Sequence, residues 1–85
     1  MRSVLVKGAD RIELTIRSYT DRTGKTPKKK TFLQVHRYTE KDDKWTNKDI
    51  PCKSEAEALL KMQEVNQYWI EFHGYTVTHE RNEES

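Results

Sequence analysis

Long hydrophobic runs are missing from this chain. No apolar stretch approaches the roughly 20 residues that cross a bilayer, and only 33% of the 85 residues are hydrophobic. A membrane partner is therefore not expected. Cysteine occurs once, at Cys52, which excludes an intrachain disulfide and suits a reducing compartment. The opening Met1-Arg2-Ser3-Val4-Leu5-Val6-Lys7-Gly8 is too short for a signal peptide, so a cytoplasmic protein is expected. Gly-rich phosphate loops are absent. Thr23-Gly24-Lys25-Thr26 echoes the end of a Walker A loop, but the earlier glycine and the following helix are lacking. Histidines 36, 73 and 79 are scattered, and no His/Cys/Asp cluster has metal-ligand spacing. No metal and no organic cofactor is expected. Cys52 has no neighbour that marks it as a nucleophile and reads as a small structural residue at a strand-to-helix corner. Catalysis has no support, and the chain reads as a non-enzyme.

What the chain does have is an uneven distribution of charge. Residues 1–50 hold thirteen basic and seven acidic side chains, a net of +6, and residues 51–85 hold three and seven, a net of −4. Four lysines fall within six residues at Lys25, Lys28, Lys29 and Lys30. A small domain polarised in this way has one region that attracts phosphates and another that repels them.

Eighty-five residues make one domain, spanning 1–80, with 81–85 as a frayed acidic tail. A chain this short buries only about 60–65% of the surface its unfolded form exposes, so its core is small. Val4-Leu5-Val6 is a short apolar strand. Arg11 to Arg17 alternates strictly, with Ile12, Leu14 and Ile16 on one face and Arg11, Glu13, Thr15 and Arg17 on the other. Gly8-Ala9-Asp10 between these two strands suits a tight turn. Thr20 to Pro27 reads as a polar loop. Thr31 to Tyr38 is the next strand, with Leu33 and Val35 on one face and Phe32, Gln34, His36 and Tyr38 on the other. Glu40 to Asp43 is a charged turn, and Trp45 to Ile50 a further strand.

Ser54-Glu55-Ala56-Glu57 has the spacing of a capping box. It opens a helix that runs to His73, with Gly74 placed to end it. Ala58, Met62, Val65, Trp69 and Phe72 form one apolar stripe. Tyr75 to His79 alternates again as a last strand. The order β-β-β-β-α-β gives an α+β domain: a small antiparallel sheet with one helix packed on one face.

The basic residues are the first functional candidate. Arg22, Lys25, Lys28, Lys29 and Lys30 are expected at a hairpin tip, where long side chains reach phosphates. Arg17 and Arg37, with Arg11, lie on neighbouring strands and suit groove or base contacts. Tyr19 and Tyr38 near the strand ends suit stacking on bases. Such lysines can also serve simply as a solvated guard on an edge strand. The second candidate is the acidic helix face, where Leu60 is an apolar point among Glu57, Glu64 and Glu71; it would suit a basic patch on a protein partner. Trp45, Tyr68, Trp69 and Tyr75 read as core or core rim.

The Thr20-Asp21-Arg22-Thr23-Gly24-Lys25 turn, the Lys28-Lys29-Lys30-Thr31-Phe32 strand start and the Lys53-Ser54-Glu55-Ala56-Glu57-Ala58 helix start resemble the arm-type DNA-binding domains of phage tyrosine recombinases. The resemblance covers roughly residues 11–70 and implies a three-stranded sheet followed by a helix, with strand side chains reading DNA in the major groove. The Glu40–Asp49 segment and the Tyr75–His79 strand lie outside that pattern. The expected function is nucleic-acid binding, with DNA first, through a basic hairpin and sheet face. The rival is a small phage or mobile-element interaction protein that inhibits or modulates a host protein.

Overall fold

The computed structural model describes residues 2–81. Five strands and one helix follow in the order β1 (Arg2–Lys7), β2 (Asp10–Asp21), β3 (Lys28–Thr39), β4 (Lys44–Cys52), α1 (Glu55–His73) and β5 (Thr76–Arg81). They form one sheet of order β4-β3-β2-β1-β5 in which every neighbouring pair is antiparallel. The chain is thus α+β, as the sequence pattern indicated.

The turns follow from local chemistry. Lys7 pairs with Asp10, so Gly8-Ala9 is a two-residue hairpin loop. Gly8 has φ +61° and Ala9 is not in the positive-φ region, the sign pattern of a type II′ turn, whose twist matches that of paired strands. Between β3 and β4 the four residues Glu40–Asp43 turn the chain, closed by the Asp43 amide donating to the Glu40 carbonyl at 3.1 Å.

Register divides the sheet into two faces, because directly opposed residues point the same way. Leu5 opposes Ile12, Ser3 opposes Leu14, and Leu14 and Ile16 oppose Val35 and Leu33. These residues form the helix-side face. Leu5, Ile12, Leu14 and Leu33 are fully buried there with Met62 and Tyr75, and Ile16, Val35, Ile50, Cys52, Val65 and Trp69 pack around them. Ser3 is also buried, and its hydroxyl meets its polar requirement on the helix through Asn66 Oδ1 at 3.2 Å.

Helix α1 leaves the β4 edge and delivers β5 to the opposite edge, beside β1, so it crosses the whole sheet. Ser54 is its N-cap, with Oγ accepting from the Glu57 amide at 3.1 Å. The Glu57 carboxylate accepts from the Lys53 amide at 3.2 Å, one residue earlier than the capping-box geometry places it. Gly74 ends the helix at φ +71°, and the Tyr75 amide returns to the Trp69 carbonyl at 3.2 Å.

Two expectations for the helix and the last strand change. Ala58 and Met62 are buried and Val65 and Trp69 half-buried, but Phe72 is 71% exposed. The buried stripe is displaced towards the side of Leu59 and Asn66, both half-buried. Phe72 falls beyond its other margin, against the exposed Tyr68 ring at 5.6 Å, and Tyr75 fills the core beside Trp69 instead. Strand β5 runs through Arg81, the first residue of the expected tail; residues 82–85 lie outside the described residues.

Candidate nucleic-acid interface

The other face of the sheet is covered by no element among the described residues. Across β1 to β4 it carries Arg2, Val4 and Val6; Arg11, Glu13, Thr15, Arg17, Tyr19 and Asp21; Lys28, Lys30, Phe32, Gln34, His36 and Tyr38; and Trp45, Asn47, Asp49 and Pro51. Five of these side chains are cationic and three anionic, a net of +2 with histidine neutral. Aromatic rings lie at both ends. Tyr38 and Trp45 pack at 5.5 Å, with His36 next at 6.2 Å from Trp45. Tyr19 and Phe32 meet edge-on at 6.0 Å. Trp45 is 50% exposed and Tyr19 53% exposed. Trp45 is therefore neither core nor core rim, the two places its residue type had suggested; its pairing with Tyr38 sets it on the uncovered side. Tyr68 is likewise exposed, whereas Tyr75 is buried and Trp69 half-buried.

Between the two aromatic groups lies a polar cleft of about 220 Å³ lined by Arg2, Glu13, Thr15, Arg17, Gln34 and His36. Arg17 Nε donates to Gln34 Oε1 at 2.9 Å, which fixes the guanidinium while leaving its outer N–H groups for another acceptor. Glu13 bridges two arginines, to Arg2 at 2.9 Å and Arg11 at 2.6 Å. Partial burial works against its ionisation, but the Arg11 hydrogen bond and the Arg2 and Arg11 charges outweigh it and hold the carboxyl below its ordinary value. His36 Nε2 is shielded from solvent and has no hydrogen-bond partner.

The basic residues picked out by sequence divide between three places. Arg17, Lys28 and Lys30 are on the uncovered face. Arg22 and Lys25 are exposed in the 22–27 loop. Lys29 and Arg37 are on the helix side. Lys29 Nζ lies 2.7 Å from Glu55 Oε1 in the first helical turn, an ion pair that lowers the Glu55 pKa. Arg37 stacks its guanidinium over Trp69, 4.8 Å from the ring centroid. It therefore does not share a surface with Arg17. The parity of Leu33, Val35 and Arg37 along one strand carried that information.

The three lysines stand in paired strand, below the hairpin tip at which they were expected. Lys28–Lys30 belong to β3 and pair with Tyr19–Asp21, so β2 and β3 extend past β1 and β4 as a two-stranded arm. The molecule is correspondingly long, 48 × 27 × 24 Å. Within the arm Lys30 lies 3.6 Å from Asp21. The same carboxylate accepts from the Thr23 hydroxyl and amide at 2.7 and 3.0 Å, and these bonds chiefly lower its pKa.

On the helix, Leu60, Glu64, Gln67 and Glu71 share the solvent face, with Leu60 61% exposed. Glu64 pairs with Lys61 at 3.4 Å, Glu71 with Gln67, and Glu57 turns away to the Lys53 amide. Cys52 is half-buried, its Sγ 3.4 Å from the Ile50 carbonyl. His36 and His73 stand on opposite sides of the sheet, and the His79 side chain lies outside the described residues. Among the described residues no three His, Cys, Asp or Glu side chains converge on one point, and no helix is long and apolar enough to cross a membrane.

No family model, no curated protein and no solved structure matches this chain.

Proposed function

We propose that the protein binds nucleic acid, DNA in the first instance, through the uncovered face of its sheet and the β2–β3 arm. The observation that carries this is the composition of that face. Arg2, Arg11, Arg17, Lys28 and Lys30 alternate with the exposed rings of Tyr19 and Trp45 and the half-buried rings of Phe32 and Tyr38, where a solvated sheet face needs no aromatics at all. Cations that meet phosphates together with rings that stack on bases are the two parts of a nucleic-acid surface. Arg22 and Lys25 add phosphate contacts from the arm tip. The β2-β3-β4 meander followed by α1 has the element order that the arm-type resemblance implies, with β1 and β5 widening the sheet. In this reading the protein is a cytoplasmic binding module and not an enzyme, and its single cysteine suits that compartment.

A second reading is favoured by one observation. The helix exposes Leu60, Tyr68, Ile70 and Phe72, apolar surface that would suit a host-protein partner for a small inhibitor.

Salt separates the two. Fluorescence anisotropy with a labelled oligonucleotide across a salt series is expected to give a falling affinity, with a log–log slope of about −0.7 to −0.9 per phosphate neutralised. Arg17→Ala is expected to reduce that slope by about one. Absence of binding at low salt would transfer the function to the helix surface.

A further inference from the structure

Resting on that reading, we infer that the ligand of the uncovered face is single-stranded, laid along β3 with unpaired bases stacked at the Tyr38–Trp45 and Tyr19–Phe32 stations. Three observations lead there. The first is width. Cations and rings are spread over β1 to β4, and four strands at about 4.8 Å spacing separate the outer axes by about 14 Å before side chains are added. The major groove of a B-form duplex is about 12 Å wide and admits a two-stranded ribbon. Only the arm is narrow enough to enter it; the aromatic face is not.

The second is chemistry. A duplex offers phosphates and base edges, while its base faces are covered by their own stacking. Unpaired bases alone present a π-face to Trp45 and Tyr19, the two most exposed rings on this surface.

The third is spacing. Phe32 and Tyr38 are six residues apart on β3, which sets the stations about 20 Å apart. Two stations at this distance suit a short run of nucleotides; OB folds, which also stack bases on sheet aromatics, cover roughly 4–16 nucleotides. Midway sits the cleft of Arg2, Glu13, Thr15, Arg17, Gln34 and His36; Glu13 is taken up by Arg2 and Arg11, and the exposed Arg17 keeps N–H groups for the sugar–phosphate chain between stacked bases.

A duplex gripped by the arm is the alternative. Ion pairs reduce the charge of both surfaces: Lys29 is held by Glu55 and Lys30 by Asp21, while Glu13 holds Arg2 and Arg11, which leaves Arg22, Lys25 and Lys28 on the arm and Arg17 and Lys28 on the face without an ion pair among the described residues. Charge does not choose between them; width and the exposed rings do.

The test uses the full chain with a labelled oligonucleotide of about sixteen nucleotides, free of self-complementarity, as DNA and as RNA, and the same DNA sequence as a blunt duplex. The single strand is expected to bind more than about tenfold tighter than the duplex, and Trp45→Ala and Tyr19→Ala each to weaken it by about 5- to 150-fold. In a Trp69→Phe background, the remaining Trp45 fluorescence is expected to be quenched on binding. Duplex binding equal to single-strand binding, or an unchanged affinity in Trp45→Ala, would overturn the single-strand inference while leaving the face as a nucleic-acid surface. Binding of neither form would remove both.

Discussion

Arg37 and Arg17 stand on opposite sides of the same sheet: Arg37 lies over the Trp69 ring at 4.8 Å, and Arg17 donates to Gln34 on the uncovered face. The two arginines are thus expected to fail differently. Arg37→Ala removes a cation–π contact worth about 0.5–2 kcal/mol and should lower the urea midpoint while leaving the salt slope of nucleic-acid binding unchanged. Arg17→Ala should do the reverse. A shared effect of both on binding would mean that the two faces do not act separately.

Helix burial makes a similar contrast. Met62 is 1% exposed and Phe72 71% exposed. Met62→Ala should destabilise by about 2–5 kcal/mol through the cavity it leaves, a large share of a total of about 5–15 kcal/mol. Phe72→Ala should stay within about 0.5 kcal/mol of wild type. Equilibrium urea unfolding followed by far-UV circular dichroism measures both.

Much of this fold was legible from local pattern. Alternation at Ile12, Leu14 and Ile16 marked the core face of β2, and Ser54 and Gly74 marked the helix ends within a residue. The arm was not legible in the same way. Lysine has low strand propensity, and Lys28–Lys30 become strand only because β2 continues to Asp21 and pairs with them, a tertiary effect. Phe72 fitted the apolar stripe by spacing, but spacing does not reveal how a helix is rotated on its sheet. Of the candidate site, the cations were evident, and the ring-bearing face was half evident. Phe32, Gln34, His36 and Tyr38 shared a face by parity, but Trp45 joins them only through the pairing of β3 with β4.

Acid should weaken the fold in a defined window. Glu13 is held below its ordinary value of 4.5 by Arg11 and Arg2 in spite of partial burial. A carboxyl with a depressed folded pKa stabilises the fold above its unfolded value, and that contribution is lost as pH falls through the folded value. The Glu13 contribution should therefore be fully present above about pH 4.5 and be lost as pH falls below it, and Glu13→Gln should make the acid decline shallower. Thermal melts from pH 7 to pH 3 test this; an unchanged acid limb in Glu13→Gln would show that the Arg2–Glu13–Arg11 bridge contributes nothing.

Backbone conformation at the helix end gives a further test. A Cβ at Gly74 would meet only Lys7 Cε and Nζ at 3.9 Å, ordinary contact, while φ is +71°. The penalty for Gly74→Ala is thus conformational, about 1–2 kcal/mol, and Gly74→Asn should cost less because asparagine tolerates the left-handed region. Thermal denaturation should rank the proteins glycine, asparagine, alanine.

The most direct test of the uncovered face as the binding surface is a titration of ¹⁵N-labelled protein with an unlabelled oligonucleotide, read by amide chemical shifts. The largest changes are expected at Arg17, Phe32, Gln34, His36 and Trp45, with the indole N–H of Trp45 shifting and that of Trp69 still. Shifts confined to Leu60, Glu64, Glu71 and their neighbours on α1 would contradict the account.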